Sequence, residues 1–72
     1  MGDDERRLRS IHTLALPART LMLLDGAGVR TVGHLVALGV AGCLAIRGFG
    51  RTSHNAVREA LGKVGLALFG DE

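Results

Sequence analysis

The stretch Leu24-Asp-Gly-Ala-Gly-Val-Arg-Thr31 recurs 22 positions later as Ile46-Arg-Gly-Phe-Gly-Arg-Thr-Ser53. Each copy contains an apolar residue, two glycines and a hydroxyl residue at the same spacing. Glycine permits backbone conformations that other residues avoid, and serine and threonine are preferred N-cap residues of helices. The repeat therefore predicts two helix–hairpin–helix-like motifs, in which a glycine turn connects one helix to the next.

The apolar spacing outside these turns predicts the helices themselves. We expect helices over about residues 17–25, 32–38, 40–46 and 51–64, and the last of these carries a single apolar stripe. With only two aromatic residues, the core has to be built from Leu, Val, Ile and Ala, which favours helices. The sequence thus predicts an all-α fold, a compact four- to five-helix domain. Its predicted core consists of Leu24, Val32, Leu35, Ile46, Val57 and Leu61.

Length and composition limit the chain to one small domain. It has 72 residues, of which 47% are apolar and 22% charged, which is an ordinary globular composition. We expect the domain to span residues 11–70, after a polar segment, residues 1–10, that forms a frayed tail or a short solvated helix. No apolar run approaches the length of a membrane span, so we predict a cytoplasmic protein without a membrane partner.

The sequence lacks the residue spacing of a catalytic or metal site. The single cysteine, Cys43, excludes an intramolecular disulfide and a multi-cysteine zinc site. Ser53 and His54 are adjacent, so on a helix their side chains diverge by roughly 100° and cannot form a nucleophile–base pair. We therefore predict no enzyme activity, no cofactor and no metal. The three histidines, which also lack ligand spacing, are His12, His34 and His54.

The charge distribution suggests an anionic partner without requiring one. The chain has a net charge of +2, and residues 11–70 hold six Lys or Arg against two Asp or Glu. A small basic body suits nucleic acid, although the same charges are also explained by solubility alone. Phe49 and Phe69 are the only aromatic residues, which nearly excludes a surface that stacks bases on rings.

Residues 11–68 resemble the C-terminal domain of the bacterial RNA polymerase alpha subunit. The resemblance lies in residues 14–19, 27–35, 46–53 and 57–61, followed by Gly65-Leu66, in the same order and spacing as in that family. It implies a compact helical unit on a flexible tether. It also implies that the unit binds the minor groove of A/T-rich DNA upstream of promoters and contacts transcription activators.

The family's DNA-binding surface carries over in part. Its key arginine falls on Arg19, and the glycine and serine that open its last helix fall on Gly50 and Ser53, with the basic Arg51 between them. The family's lysine before that serine is Thr52 here, its asparagine one turn after the arginine is Met22, and a later acidic residue is Ala56. The resemblance thus implies weak DNA binding. The predicted DNA-contacting residues are Arg19, Gly50, Arg51, Thr52 and Ser53.

An alternative function is a protein–protein interaction module on the same fold. Arg19, Met22 and Leu23 share one helix face, so if Arg19 is exposed, its two apolar neighbours are exposed as well. Neighbouring exposed apolar groups often mark a protein interface. We therefore expect Met22 and Leu23 at the centre of a protein contact with Arg19 at its rim, unless Met22 is a tolerated surface residue. The expected partner is RNA polymerase, a transcription regulator or a second copy in a homodimer.

Overall fold

The computed structural model describes residues 3–71, with side chains from residue 5 onward. This part of the chain forms four α-helices and one 3-10 helix. Residues 3–71 contain no β-strand, only an isolated bridge between Ser10 and Thr31. The predicted all-α fold is confirmed. The elements are α1 (Asp3–Leu8), a 3-10 helix (Ile11–Thr13), α2 (Ala18–Gly26), α3 (Val32–Leu44) and α4 (Arg51–Lys63).

The predicted helices 32–38 and 40–46 are both present, as the two segments of α3 that meet at a kink at Gly39. The backbone there has φ 74° and ψ 179°, a conformation that is essentially restricted to glycine. The kink interrupts the helical hydrogen bonds, and Phe69 replaces them. The Val40 amide donates to the Phe69 carbonyl at 3.0 Å, and the Phe69 amide donates to the Val36 carbonyl at 3.0 Å. The C-terminal segment is thereby fixed against the middle of α3.

The N-terminal segment packs against the rest of the domain. The Val32 amide donates to the Arg9 carbonyl at 2.8 Å, and the Ile11 amide donates to the Arg30 carbonyl at 3.0 Å. Helix α1 contacts α3 so closely that a Cβ on Gly33 would lie 3.0 Å from the Arg7 Cβ. Of the two expected forms of this segment, the short helix is the one observed, as α1, and the start of α3 leaves Arg6 and Arg7 only partly exposed.

The core agrees with the prediction except at one residue. Leu24, Leu35 and Leu61 are fully buried, whereas Ile46 is only partly buried because it lines a surface groove. The C-terminal segment contributes Leu68, which is 1% exposed, to the core, whereas Phe69 is 76% exposed. Among the described residues, no helix has both the length and the apolar character needed to cross a membrane.

Candidate nucleic-acid interface

The starts of α2 and α4 line a common cleft of about 310 Å³, which we call the arginine cleft. All five residues that were predicted to contact DNA line it, although Arg19 lies far in sequence from the other four. Its complete lining is Pro17, Arg19, Thr20, Gly48, Gly50, Arg51, Thr52 and Ser53.

The arginine cleft carries positive charge without a neutralising carboxylate. Arg19 and Arg51 are exposed, and neither makes an ion pair or hydrogen bond with another described residue. No lining residue is acidic. Both guanidinium groups are therefore available to an anionic ligand.

The two helices that open onto the cleft lack side-chain caps. Pro17 precedes α2 and Gly50 precedes α4, and neither contributes a capping hydrogen bond. Helix α3, which does not line the cleft, is capped by Thr31, whose hydroxyl accepts the His34 amide at 3.1 Å. The first N–H groups of a helix have no partner within it and carry partial positive charge. In α4 the first helical bond is that of His54 to the Gly50 carbonyl, so the preceding amides remain available to an anion.

Ser53 is less exposed than its predicted role in DNA contact suggested. Its side chain is largely buried, and its Oγ accepts a hydrogen bond of 3.5 Å from the Thr20 hydroxyl. A hydroxyl group can accept and donate at once, so Ser53 retains its own proton for a ligand in the cleft. Sequence reasoning missed Thr20. The signal was its position four residues before the buried Leu24, which indicates a hydroxyl on the core side of α2.

Met22 and Leu23 line a different concavity, which we call the methionine groove, of about 500 Å³. Met22 is 72% exposed as expected, but Leu23 is half-buried and packs against the core. Arg19 lines the arginine cleft and not this groove, so the predicted single face with Arg19 at its rim is divided between two sites. The remaining lining of the groove is Gly26, Ala27, Gly42, Ala45, Ile46 and Arg47.

Two of the three histidines lie near a carboxylate, and the cysteine is buried. His12 Nε2 lies 3.1 Å from Asp25 Oδ2, and His54 Nε2 lies 3.6 Å from Asp71 Oδ2. Cys43 is fully buried, and burial raises the pKa of its thiol above the ordinary value of 9.0. Within residues 5–71, no three His, Cys, Asp or Glu side chains are grouped so as to hold a metal ion.

Comparison with known proteins relates the chain to one family. Residues 2–63 match the family described as the C-terminal domain of the bacterial RNA polymerase alpha chain. The chain is 35% identical over 65 residues to the RNA polymerase alpha subunit of Geobacter metallireducens, covering 90% of this chain and 19% of that subunit. It is 41% identical over 69 residues to the alpha subunit of Cutibacterium acnes, covering 90% of this chain and 20% of that subunit. The chain thus spans about a fifth of the length of these relatives.

A solved structure supports the same assignment. The NMR structure of the C-terminal domain of the RNA polymerase alpha subunit from Helicobacter pylori superimposes with a TM-score of 0.79 at 28% identity. The superposition covers 94% of this chain and 60% of that one. By sequence and by fold, the protein belongs to the family formed by the C-terminal domains of bacterial RNA polymerase alpha chains, which are transcription-related DNA-binding domains.

Proposed function

We propose that the domain binds duplex DNA through the arginine cleft, with Arg19 entering the minor groove and the start of α4 holding a neighbouring phosphate. The observation that carries this proposal is the common lining of one cleft by Arg19 and residues 50–53. Two uncapped helix starts and two unpaired arginines in the same small cleft suit a polyanion.

Each group in the cleft has a distinct task in this proposal. The amides at the start of α4 and the Ser53 hydroxyl donate hydrogen bonds to a phosphate, and Arg51 supplies charge beside it. Arg19 enters a narrow A/T-rich minor groove, where the negative potential is strongest. Thr52 is exposed but uncharged, so the surface neutralises few phosphates. We therefore expect weak binding that declines steeply with added salt.

A fluorescence anisotropy titration with A/T-rich and G/C-rich duplexes at several salt concentrations tests this proposal. We expect Arg19→Ala to weaken binding to the A/T-rich duplex about tenfold and to reduce the slope of log affinity against log salt by about 1. The matched control is Arg30→Ala, which removes an exposed arginine that does not line the cleft. Equal affinity of the parent and the Arg19→Ala protein at low salt would contradict the assignment of Arg19.

The family to which the chain belongs suggests where in the cell, and with which partners, the domain would bind DNA. We propose that the domain acts in the cytoplasm with RNA polymerase and a transcription regulator, and that it performs no catalytic step itself. A second candidate function is protein–protein interaction through Met22 and Leu23, either with such a partner or with a second copy in a homodimer. The 72% exposure of Met22 within an apolar groove favours it.

A further inference from the structure

We propose that the methionine groove binds an apolar side chain of a partner protein that carries a carboxylate close to that side chain, with Arg47 as the counter-ion. This inference rests on the second candidate function and specifies the chemistry of its partner. It does not depend on DNA binding by the arginine cleft.

The shape of the methionine groove suits an inserted side chain. Its volume of about 500 Å³ lies within the ~300–1,000 Å³ range of ligand-binding clefts. Gly26, Ala27, Gly42 and Ala45 present little side-chain bulk, so a partner can approach the backbone closely. Met22 lines the same groove, and its unbranched thioether can adjust to the shape of an incoming apolar group.

The charge in the groove favours a carboxylate. Arg47 is the only charged residue that lines it, and it makes no ion pair or hydrogen bond with another described residue. The other lining residues are apolar or glycine, so Arg47 offers the one charge in the groove to which a carboxylate of a partner can pair. A segment with a basic residue at the same place would be repelled.

A second copy of this protein is poorly suited to supply that carboxylate. Most of the acidic side chains within residues 5–71 already have basic partners. Asp25 contacts His12, Asp71 contacts His54 and Arg58, and Glu5 pairs with Arg9. Residues 11–70 also carry a surplus of positive charge, so two copies repel each other there. These charges favour a different, acidic protein as the occupant.

The groove lies directly beside the arginine cleft. Arg47 lines the groove, and the next residue, Gly48, lines the cleft. Leu23 connects them, because its Cδ2 lies 3.4 Å from the position that a Cβ on Gly48 would take. A partner segment in the groove would therefore lie next to bound DNA without occupying the residues assigned to it.

The test is a pair of peptide titrations followed by NMR on the ¹⁵N-labelled domain. The probes are two acetylated helical peptides with identical leucines, one with glutamates and the other with lysines beside those leucines. We expect the glutamate peptide to shift the amides of Gly26, Gly42, Ala45 and Arg47 and the lysine peptide to bind roughly tenfold more weakly. We expect R47E to reverse this preference. The matched control is the charge reversal K63E, at an exposed residue that lines neither site. It should leave the preference for the glutamate peptide unchanged.

Several results would overturn the proposal. They are equal binding of the two peptides, shifts confined to residues outside the groove, or no shifts with either peptide. Concentration-dependent shifts of the same amides without peptide, with a doubled mass by sedimentation, would assign the groove to a second copy instead. DNA titrations of the R47E and K63E proteins separate this inference from the proposed DNA binding. We expect DNA binding by both variants still to depend on Arg19, and R47E to lose more affinity than K63E because Arg47 lies beside the arginine cleft and Lys63 does not.

Discussion

Thr20 and Ser53 share a hydrogen bond of 3.5 Å between their hydroxyl oxygens, and it connects α2 to α4 in the lining of the arginine cleft. They are 33 positions apart in sequence and largely buried. A hydroxyl can accept and donate at once, so Ser53 can accept from Thr20 and still donate its own proton to a ligand. This buried contact lies between the two helix starts that line the cleft.

Substitutions at these two residues should separate stability from binding. We expect Thr20→Val to lower the free energy of unfolding by about 1 kcal/mol, since one buried hydrogen bond is lost, and to retain most DNA affinity. We expect Ser53→Ala to weaken DNA binding several-fold, because a donor to phosphate is removed. Urea unfolding and anisotropy titration measure the two effects. A Ser53→Ala protein with parental affinity would show that its hydroxyl does not contact DNA.

Adding a cap to α4 should stabilise the fold and impair binding. Gly50 has an extended backbone with φ −113° and ψ −161°, and a Cβ there would meet no atom within 4 Å. We expect Gly50→Ser to raise the free energy of unfolding by a few tenths of a kcal/mol. Its hydroxyl would occupy the amides that we assign to phosphate, so DNA affinity should decrease. Gly50→Ala, which adds a side chain without a cap, is the control and should retain more affinity. Tighter binding by the serine variant would argue against a phosphate at this helix start.

The same substitution at two glycines should have opposite effects on stability. Gly39→Ala introduces strain at φ 74° and places a Cβ 2.8 Å from the Phe69 carbonyl oxygen. We expect it to lower the free energy of unfolding by at least about 2 kcal/mol. Gly62→Ala, in α4 with open space around it, should raise that free energy by about 0.5–1 kcal/mol. Thermal unfolding followed by circular dichroism measures both effects. A Gly39→Ala protein as stable as the parent would mean that the glycine conformation at the kink does not contribute to stability.

The buried cysteine should make stability decrease at alkaline pH. Burial raises the folded-state pKa of the Cys43 thiol above its ordinary value of 9.0, so the unfolded state loses the proton first. Its contribution to the free energy of unfolding is therefore complete below pH 9 and is lost as the pH rises toward the folded pKa. We expect this decrease in urea titrations of the parent as the pH is raised above 9, and a smaller one in Cys43→Ala. Identical pH profiles would exclude the thiol as the cause.

The sequence by itself determined the helices and most of the core. Turn glycines, the Thr31 cap and apolar periodicity are local signals, so α2 and α4 were predicted to within about one residue at each end. The family resemblance identified five of the eight residues that line the cleft. It did not identify Thr20, because the spacing of Thr20 from Leu24 indicates only that its hydroxyl lies on the core side of α2 and not which residue of another helix it meets.

Only the tertiary structure decided how these elements meet. Packing on α3 made the N-terminal segment part of the domain, and Phe69 completed the hydrogen bonds that the Gly39 kink removed. Helix periodicity placed Arg19 and Met22 on one face. In the structure, however, Arg19 lines the arginine cleft with Gly48, and Met22 lines the methionine groove with Arg47. The physical reason is that local sequence fixes backbone conformation and the direction of side chains along each helix. The neighbours that a side chain finally meets depend on contacts between residues that are distant in the sequence.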